Sequence, residues 1–289
     1  MESLTVFGSQ GFVGSHFLRC IEDEFLERKV PFKIFTPYRD CTNCCINTKD
    51  VVNFISTVHN YNVFEDPHLD INTNLNVLVD TLENWRKSEK SEQGCYNFIS
   101  SWFVYGGSTL HGAMEYDDCF PRGFYSITKY CAEQLLRSYC TTYDLNYRIL
   151  RLGNVIGPGD KKVSKKKNAI QYMANQIKNN EDVSLYGDGT FYRDYIHVKD
   201  VARAIALVIE KGEPNEIYNI GNGMQWNFRD ILYFLRRITN SSSKIMSVES
   251  AEFHKKVQAM SFYMNVQKLH NLGFHPEYLG EDLFKTLVD

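Results

Sequence analysis

The chain has 289 residues, 43% of them hydrophobic and 23% charged, with a formal charge of −3 and a pI near 6.3. That is enough apolar material for one large domain or two modest ones without staples, and the slightly acidic balance gives no electrostatic reason to expect a nucleic-acid partner. No basic start leads into an apolar leader, and no run reaches the roughly 18 apolar residues of a membrane span, so a soluble cytoplasmic protein with a small ligand and no membrane partner is expected.

The first apolar run, Leu4 to Phe7, reads as a strand and is followed directly by Gly8-Ser9-Gln10-Gly11-Phe12-Val13-Gly14 and a helix-forming stretch from Ser15 to Glu27. A strand, closely spaced glycines and a helix N-terminus let a pyrophosphate approach backbone N–H groups, so Gly8, Gly11, Phe12, Val13 and Gly14 are candidate cofactor residues. A glycine turn kept for packing alone would look the same. A side chain at Gly8 or Gly11 is expected to block the turn or the phosphate, and one at Gly14 to push the helix off the sheet. A second strand, Phe32 to Phe35, runs into Thr36-Pro37-Tyr38-Arg39, and the next begins near Val51. That interval is too short for a strand, a helix and their loops, so the intervening helix is expected to be lost. Cys41-x-x-Cys44-Cys45 invites a metal reading, but the other five cysteines are scattered singly and a zinc site needs a second pair at comparable spacing. Reduced thiols and no metal are expected.

Further apolar runs at Val51–Ile55, Tyr96–Ser100, Arg148–Leu152 and Tyr218–Ile220 are continuous rather than alternating. Amphipathic patterns lie between them at Asn72–Trp85, Ser126–Tyr143 and Val201–Glu210, the last with Asp200 as its expected N-cap. Continuous apolar strands separated by such helices predict an α/β fold with a doubly wound parallel sheet covered on both faces. Gly157-Pro158-Gly159 and the lysine-rich stretch 161–167 break the pattern. Residues 1–155 are expected to form the dinucleotide-binding domain, with 187–209 returning to it. Residues 156–186 and 210–289 are expected to form a smaller substrate-binding region over the sheet's C-terminal edge. The lysines either attract an anionic substrate or belong to a solvated loop.

Tyr125-x-x-x-Lys129 places a phenol and an ammonium on one face of the long helix. A tyrosine ordinarily titrates near pH 10, so proton transfer at neutral pH requires a cation such as Lys129 to stabilise the phenolate by roughly 3 units. Tyr195-x-x-x-Lys199 has the same spacing but lies in a strand-like stretch. Upstream, the strand ending in Ser100 and Ser101 delivers hydroxyls to the sheet edge, where Ser101 suits hydrogen bonding to a reacting oxygen and also suits a simple turn.

These segments occur in a recognisable order. Gly8–Gly14, Ser101-x-x-Val104-Tyr105-Gly106, Tyr125-x-x-x-Lys129, Leu150–Gly159, Tyr186–Gly189 with Arg193-Asp194, and Tyr218–Gly221 together resemble the extended short-chain dehydrogenase/reductases that act on nucleotide-activated sugars. The resemblance spans nearly the whole chain. It implies a Rossmann domain, an NAD or NADP cofactor, a nucleotide diphosphate sugar as substrate and a homodimer built through the 72–85 and 126–143 helices. By the same resemblance Tyr125 is the catalytic acid or base, Lys129 binds the nicotinamide ribose and tunes it, and Ser101 orients the sugar oxygen. Asn154 and Arg193 match substrate-binding positions, and a guanidinium is a suitable phosphate partner. Arg193 could instead form an ion pair with Asp194 or Asp188.

Departures from the family pattern narrow the expectation. Where 4,6-dehydratases carry an Asp-Glu pair after the serine, this chain has Trp102-Phe103, and two aromatic rings supply neither acid nor base for water elimination. At the end of the second strand there is no acid until Asp40, while Arg39 suits a 2′-phosphate, so NADP(H) is expected ahead of NAD(H). The C-terminal stretch Phe262–Leu269 lacks a preceding arginine, leaving Lys255, Lys256 or Gln258 to take its place. The sequence reading is therefore an NADPH-dependent 4-ketoreductase of a nucleotide-linked 6-deoxy-4-ketohexose. A 4-epimerase is the alternative, dehydration is less favoured, and an NADP-binding redox sensor is the non-enzymatic reading.

Overall fold

The computed structural model describes residues 3–28, 33–37, 46–107, 111–161, 163–257 and 261–289. Strand β1 (Ser3–Phe7) enters the glycine loop and helix α1 (Phe12–Arg28), followed by β2 (Lys33–Phe35) and β3 (Asp50–Asn53). Next come a 3-10 turn (Asn60–Phe64), α2 (Pro67–Ile71), a π-helical turn (Asn72–Asn76) and α3 (Val77–Arg86). The expected Asn72–Trp85 helix is thus two segments in one line, the first of them wound as a π-helix. Strand β4 (Cys95–Ser101), a 3-10 turn (Trp102–Tyr105), α4 (Phe124–Thr142) and β5 (Asn146–Leu152) complete the first half.

The second half contains β6 (Asn154–Ile156), α5 (Ala169–Lys178), β7 (Val183–Tyr186), β8 (Tyr192–Arg193), β9 (Tyr195–His197), α6 (Val198–Lys211) and β10 (Glu216–Ile220). It ends with β11 (Trp226–Asn227), α7 (Phe228–Ile238), β12 (Ile245–Val248), α8 (Glu252–Val257), α9 (Gln267–Asn271) and α10 (Gly280–Lys285).

Six strands form the central sheet in the order β10-β5-β4-β3-β1-β2, and all of its pairings are parallel. The chain leaves β1 toward β2 and then crosses to β3 on the other side of β1. The winding direction reverses there, which places the ligand crevice at the C-terminal ends of β1 and β3. The apolar runs explain the burial: β1 and β4 are covered along their full length, as parallel strands with helices on both faces require. On one face Leu4, Val6, Phe17 and Ile21 pack with Val201, Ile205 and Val208 of α6. On the other, Val51, Leu82, Trp85, Phe98, Ala132 and Leu136 bring α3 and α4 onto the sheet.

The chain beyond residue 210 is divided. β10 is a strand of the central sheet, and Leu269 and Phe274 pack into its core. Ile170, Ile177, Leu185, Ile231, Leu235 and Phe284 form a separate cluster from α5, β7, α7 and α10. The start of α6 differs from expectation. His197 caps it by accepting from the Lys199 amide at 3.3 Å, so Val198 and Lys199 are helical. Asp200 lies in the first turn and accepts the backbone N–H groups of Glu277 and Tyr278. The carboxylate expected to cap a helix instead anchors the C-terminal segment to it.

Candidate active site

The loop after β1 is built by its glycines. Gly8 takes a left-handed φ of +73°, where a Cβ would stand 3.0 Å from the carbonyl carbon of Phe54. The Gly11 N–H donates to the Gly8 carbonyl at 3.0 Å, closing the turn so that α1 starts at Phe12. A Cβ on Gly14 would come within 2.4 Å of the Gly8 carbonyl oxygen. The close approach that Gly14 permits is therefore to the loop itself, not to the sheet as the sequence suggested. A tight turn stripped of side chains at a helix N-terminus fits a pyrophosphate, with the N–H groups of Phe12 and Val13 in the first helical turn. Arg39, Cys41, Cys44, Cys45 and Gln258 lie outside the described residues.

Tyr125 opens α4 and its side chain is buried. Burial raises the pKa of its phenol above the ordinary tyrosine value, while hydrogen bonding to the Ser101 and Ser56 hydroxyls works against that rise. Ser101 and Ser56, the latter from the loop after β3, thus both act on the Tyr125 phenol. Lys129 is 1% exposed. Its Nζ donates to the Ile99 carbonyl at 2.6 Å and lies 4.1 Å from the centre of the Phe98 ring. Burial pushes the Lys129 ammonium down to about 7, opposed by the Glu133 carboxylate. The lysine is thus held by a main-chain carbonyl.

An aromatic wall flanks Tyr125. The Phe103 ring meets the Tyr125 ring edge-on at 6.1 Å and stacks on Trp102 at 4.1 Å, which in turn stacks on Phe262 at 4.6 Å. The Arg193 guanidinium sits 5.4 Å from the Trp102 ring and 4.6 Å from that of Phe191. Burial pulls its pKa down to about 10, because a desolvated cation is disfavoured. Its neighbour Asp194 accepts backbone N–H groups from Asn222, Gly223 and Met264. Burial nevertheless pushes that carboxyl up to about 7. Asn154 donates to the Asp194 carbonyl at 2.8 Å. The wall joins the turn after β4 to the C-terminal segment around Phe262 and Met264, packing together residues distant in sequence. From the lysine-rich stretch, Lys166 reaches Glu65 at 2.7 Å and Lys167 pairs with Asp160 at 2.7 Å.

Besides Ser56, two groups beside the site were not anticipated. Asn74, in the π-helical turn, accepts from the Thr57 amide at 3.0 Å and donates to Thr128 at 3.0 Å, tying the loop after β3 to α4. Nothing in a run of asparagines distinguishes it. Glu133 is fully buried on α4 and pairs with Arg151 of β5 at 2.7 Å. Its position four residues beyond Lys129 was visible as a continuation of the Tyr125–Lys129 spacing.

The profile of the NAD dependent epimerase/dehydratase family matches residues 47–221. The chain is 34% identical over 192 residues to the low-salt glycan biosynthesis protein Agl12 of Haloferax volcanii, covering 66% of this chain and 59% of that protein. It is 29% identical over 198 residues to the dTDP-D-glucose 4,6-dehydratase of Mus musculus, covering 66% and 54%. It therefore spans less than two thirds of the length of both relatives. A protein of Methanocaldococcus jannaschii, described as a candidate UDP-glucose 4-epimerase, is 24% identical over 99% of this chain and 97% of its own. Two solved structures share the fold at a TM-score of 0.85. One is a UDP-glucose 4-epimerase with UDP-glucose from Thermotoga maritima, 23% identical over 99% and 97% of the two chains. The other is RMD from Pseudomonas aeruginosa complexed with NADPH, 22% identical over 100% and 98%. The resemblance read from the motifs is borne out: this chain belongs to the NAD dependent epimerase/dehydratase family.

Proposed function

We propose that the protein is an NAD(P)-dependent oxidoreductase of nucleotide-linked sugars, and specifically an NADPH-dependent reductase of a nucleotide-linked 6-deoxy-4-ketohexose. The observation that carries this reading is the buried Tyr125 phenol, on which the Ser101 and Ser56 hydroxyls act, beside a wall made by Trp102 and Phe103. The glycine cradle would hold the cofactor's pyrophosphate, and a bound reduced nicotinamide supplies the hydride. The chain's own task is then the proton. Ser101 orients the carbonyl oxygen, Tyr125 donates its phenolic proton to the developing alkoxide, and a protonated Lys129 favours the phenolate left behind. Arg193, whose charge is desolvated, is suited to the diphosphate, and Asn154 to the sugar.

The turn Trp102–Tyr105 contains no carboxylate, so it offers no acid and base pair for eliminating water at adjacent carbons. That favours reduction or epimerisation over dehydration, although a mouse dehydratase is among the relatives. Arg39 and the lack of an acid before Asp40 favour NADPH. The second reading, a 4-epimerase, is favoured by the Methanocaldococcus relative that matches along nearly the whole chain. The apolar side chains Val79 of α3 and Leu135 of α4, each about two fifths exposed, support a homodimer through these helices. Thiols at Cys95, Cys119, Cys131 and Cys140 suit a cytoplasmic setting.

Replacing Tyr125 by Phe tests the mechanism. Turnover of nucleotide-linked 4-keto sugars should fall by about 100-fold or more while NADPH binding stays within a few-fold of wild type. Full activity in that variant would overturn the assignment.

A further inference from the structure

The row begun by Tyr125 and Lys129 continues by one more helical step to Glu133. Its carboxylate has no exposure to solvent. One oxygen accepts from the Ser100 hydroxyl at 2.5 Å and from Arg151 Nε at 3.1 Å, and the other from the Arg151 NH2 group at 2.7 Å. Arg151 also donates to the Glu115 carbonyl at 3.3 Å and lies over the Tyr105 ring at 4.6 Å. These contacts bind α4 to β4 one residue before Ser101 and to β5. A buried ion pair is a poor device for stability, because apolar residues of similar volume do as well or better. Its place beside Lys129 suggests another use.

We propose that Glu133, fixed by Arg151 and Ser100, is a positioning residue that keeps the Lys129 ammonium charged and seated on the Ile99 carbonyl, one helical turn from Tyr125. This rests on the reading of Tyr125 and Lys129 given above. Groups from every side are consistent with it. Lys129 and Tyr130 interact with Glu133 along α4; β4 contributes the Ile99 carbonyl, the Phe98 ring and Ser100. β5 contributes Arg151, α2 contributes Asp70, which acts on Tyr125, and Tyr105 and Cys119 act on Arg151. The 60–64 turn and the π-helical turn present Asn60 and Asn74 to α4. Glu133 is the charge that opposes the effect of burial on Lys129.

The test is a titration of the Lys129 Cε resonance in 13C-lysine-labelled protein, assigned by its absence from Lys129→Met, in wild type, Glu133→Gln and Glu133→Gln/Arg151→Met. The double variant removes both buried charges and protects against misfolding of the single one. The midpoint is expected to fall by about one pH unit or more in Glu133→Gln and to fall, by less, in the double variant. An unchanged midpoint, or a fall confined to Glu133→Gln that vanishes in the double variant, would overturn the proposal, the latter by assigning the effect to the stranded Arg151 charge. The titration needs no substrate. Lack of turnover on every nucleotide sugar would therefore refute the functional reading while leaving this result to stand or fall by itself.

Discussion

Replacing Gly14 by Ala puts one methyl group into the most crowded point of the cofactor loop. The added carbon would lie 2.4 Å from the Gly8 carbonyl oxygen and 3.1 Å from both the Gly8 carbonyl carbon and Ser9 Cα. A carbon and an oxygen in ordinary contact stand near 3.4 Å, so α1 and the loop must separate by about 1 Å, against backbone atoms that no rotamer can move aside. Overpacking of that kind costs roughly 1–3 kcal/mol. The same movement breaks the register between the loop and the first turn of α1, where the pyrophosphate would sit, and a loss of about 1.4–2.8 kcal/mol in binding is a 10- to 100-fold weaker Kd. Gly107→Ala is the matched control, since a Cβ there meets nothing within 4 Å. Calorimetric titration with NADPH and NADH, paired with thermal melts, reads both effects. Gly14→Ala should bind either cofactor at least 10-fold more weakly, and Gly107→Ala should match wild type. Unaltered cofactor affinity in a folded Gly14→Ala protein would refute the placement of the cofactor on this loop.

Lys129→Met yields a pH signature. The folded-state pKa of Lys129 is lowered to about 7 from 10.5, so between these values the unfolded chain binds more protons and the contribution of Lys129 to stability rises with pH. The variant lacks this slope. Its stability relative to wild type should be greatest at pH 7 or below and decline by about 1 kcal/mol per unit between pH 7 and 9 in urea melts; a constant difference would contradict the burial of the lysine. Asp200→Ala removes the acceptor for the Glu277 and Tyr278 amides and the partner of Arg203. It should lower stability by about 2–4 kcal/mol in chemical denaturation, and a loss below 1 kcal/mol would mean that this anchor is slack. Leu135→Glu should shift a dimer toward monomer in sedimentation at micromolar concentration, and an unchanged assembly would remove α4 from any interface.

The elements that the sequence displayed clearly were those whose physics is local. Continuous apolar runs gave all six central strands within two residues at either end, and the Tyr125–Lys129 spacing marked the face of α4 that meets Ser101. What stayed hidden depended on contacts between distant segments. Asp200 resembles a helix cap in any sequence window, yet it is claimed by amides 77 and 78 residues away, leaving His197 to cap the helix. Ser56 and Asn74 carry no spacing signal because their partners come from other elements. Gly14 was recognised as indispensable, but what it must avoid is the Gly8 carbonyl, which only the folded turn reveals. The aromatic wall was read as the absence of two carboxylates. In the fold it is also a packed column linking the turn after β4 to Phe262.

The most direct test is to incubate the purified protein with NADPH and a set of nucleotide-linked 4-keto-6-deoxy sugars, following nicotinamide absorbance and product together. The proposed function predicts one NADPH oxidised for each sugar reduced, with no 4-keto sugar formed from nucleotide-linked hexoses. Interconversion of nucleotide-linked hexoses without any consumption of NADPH would contradict it and establish the epimerase instead.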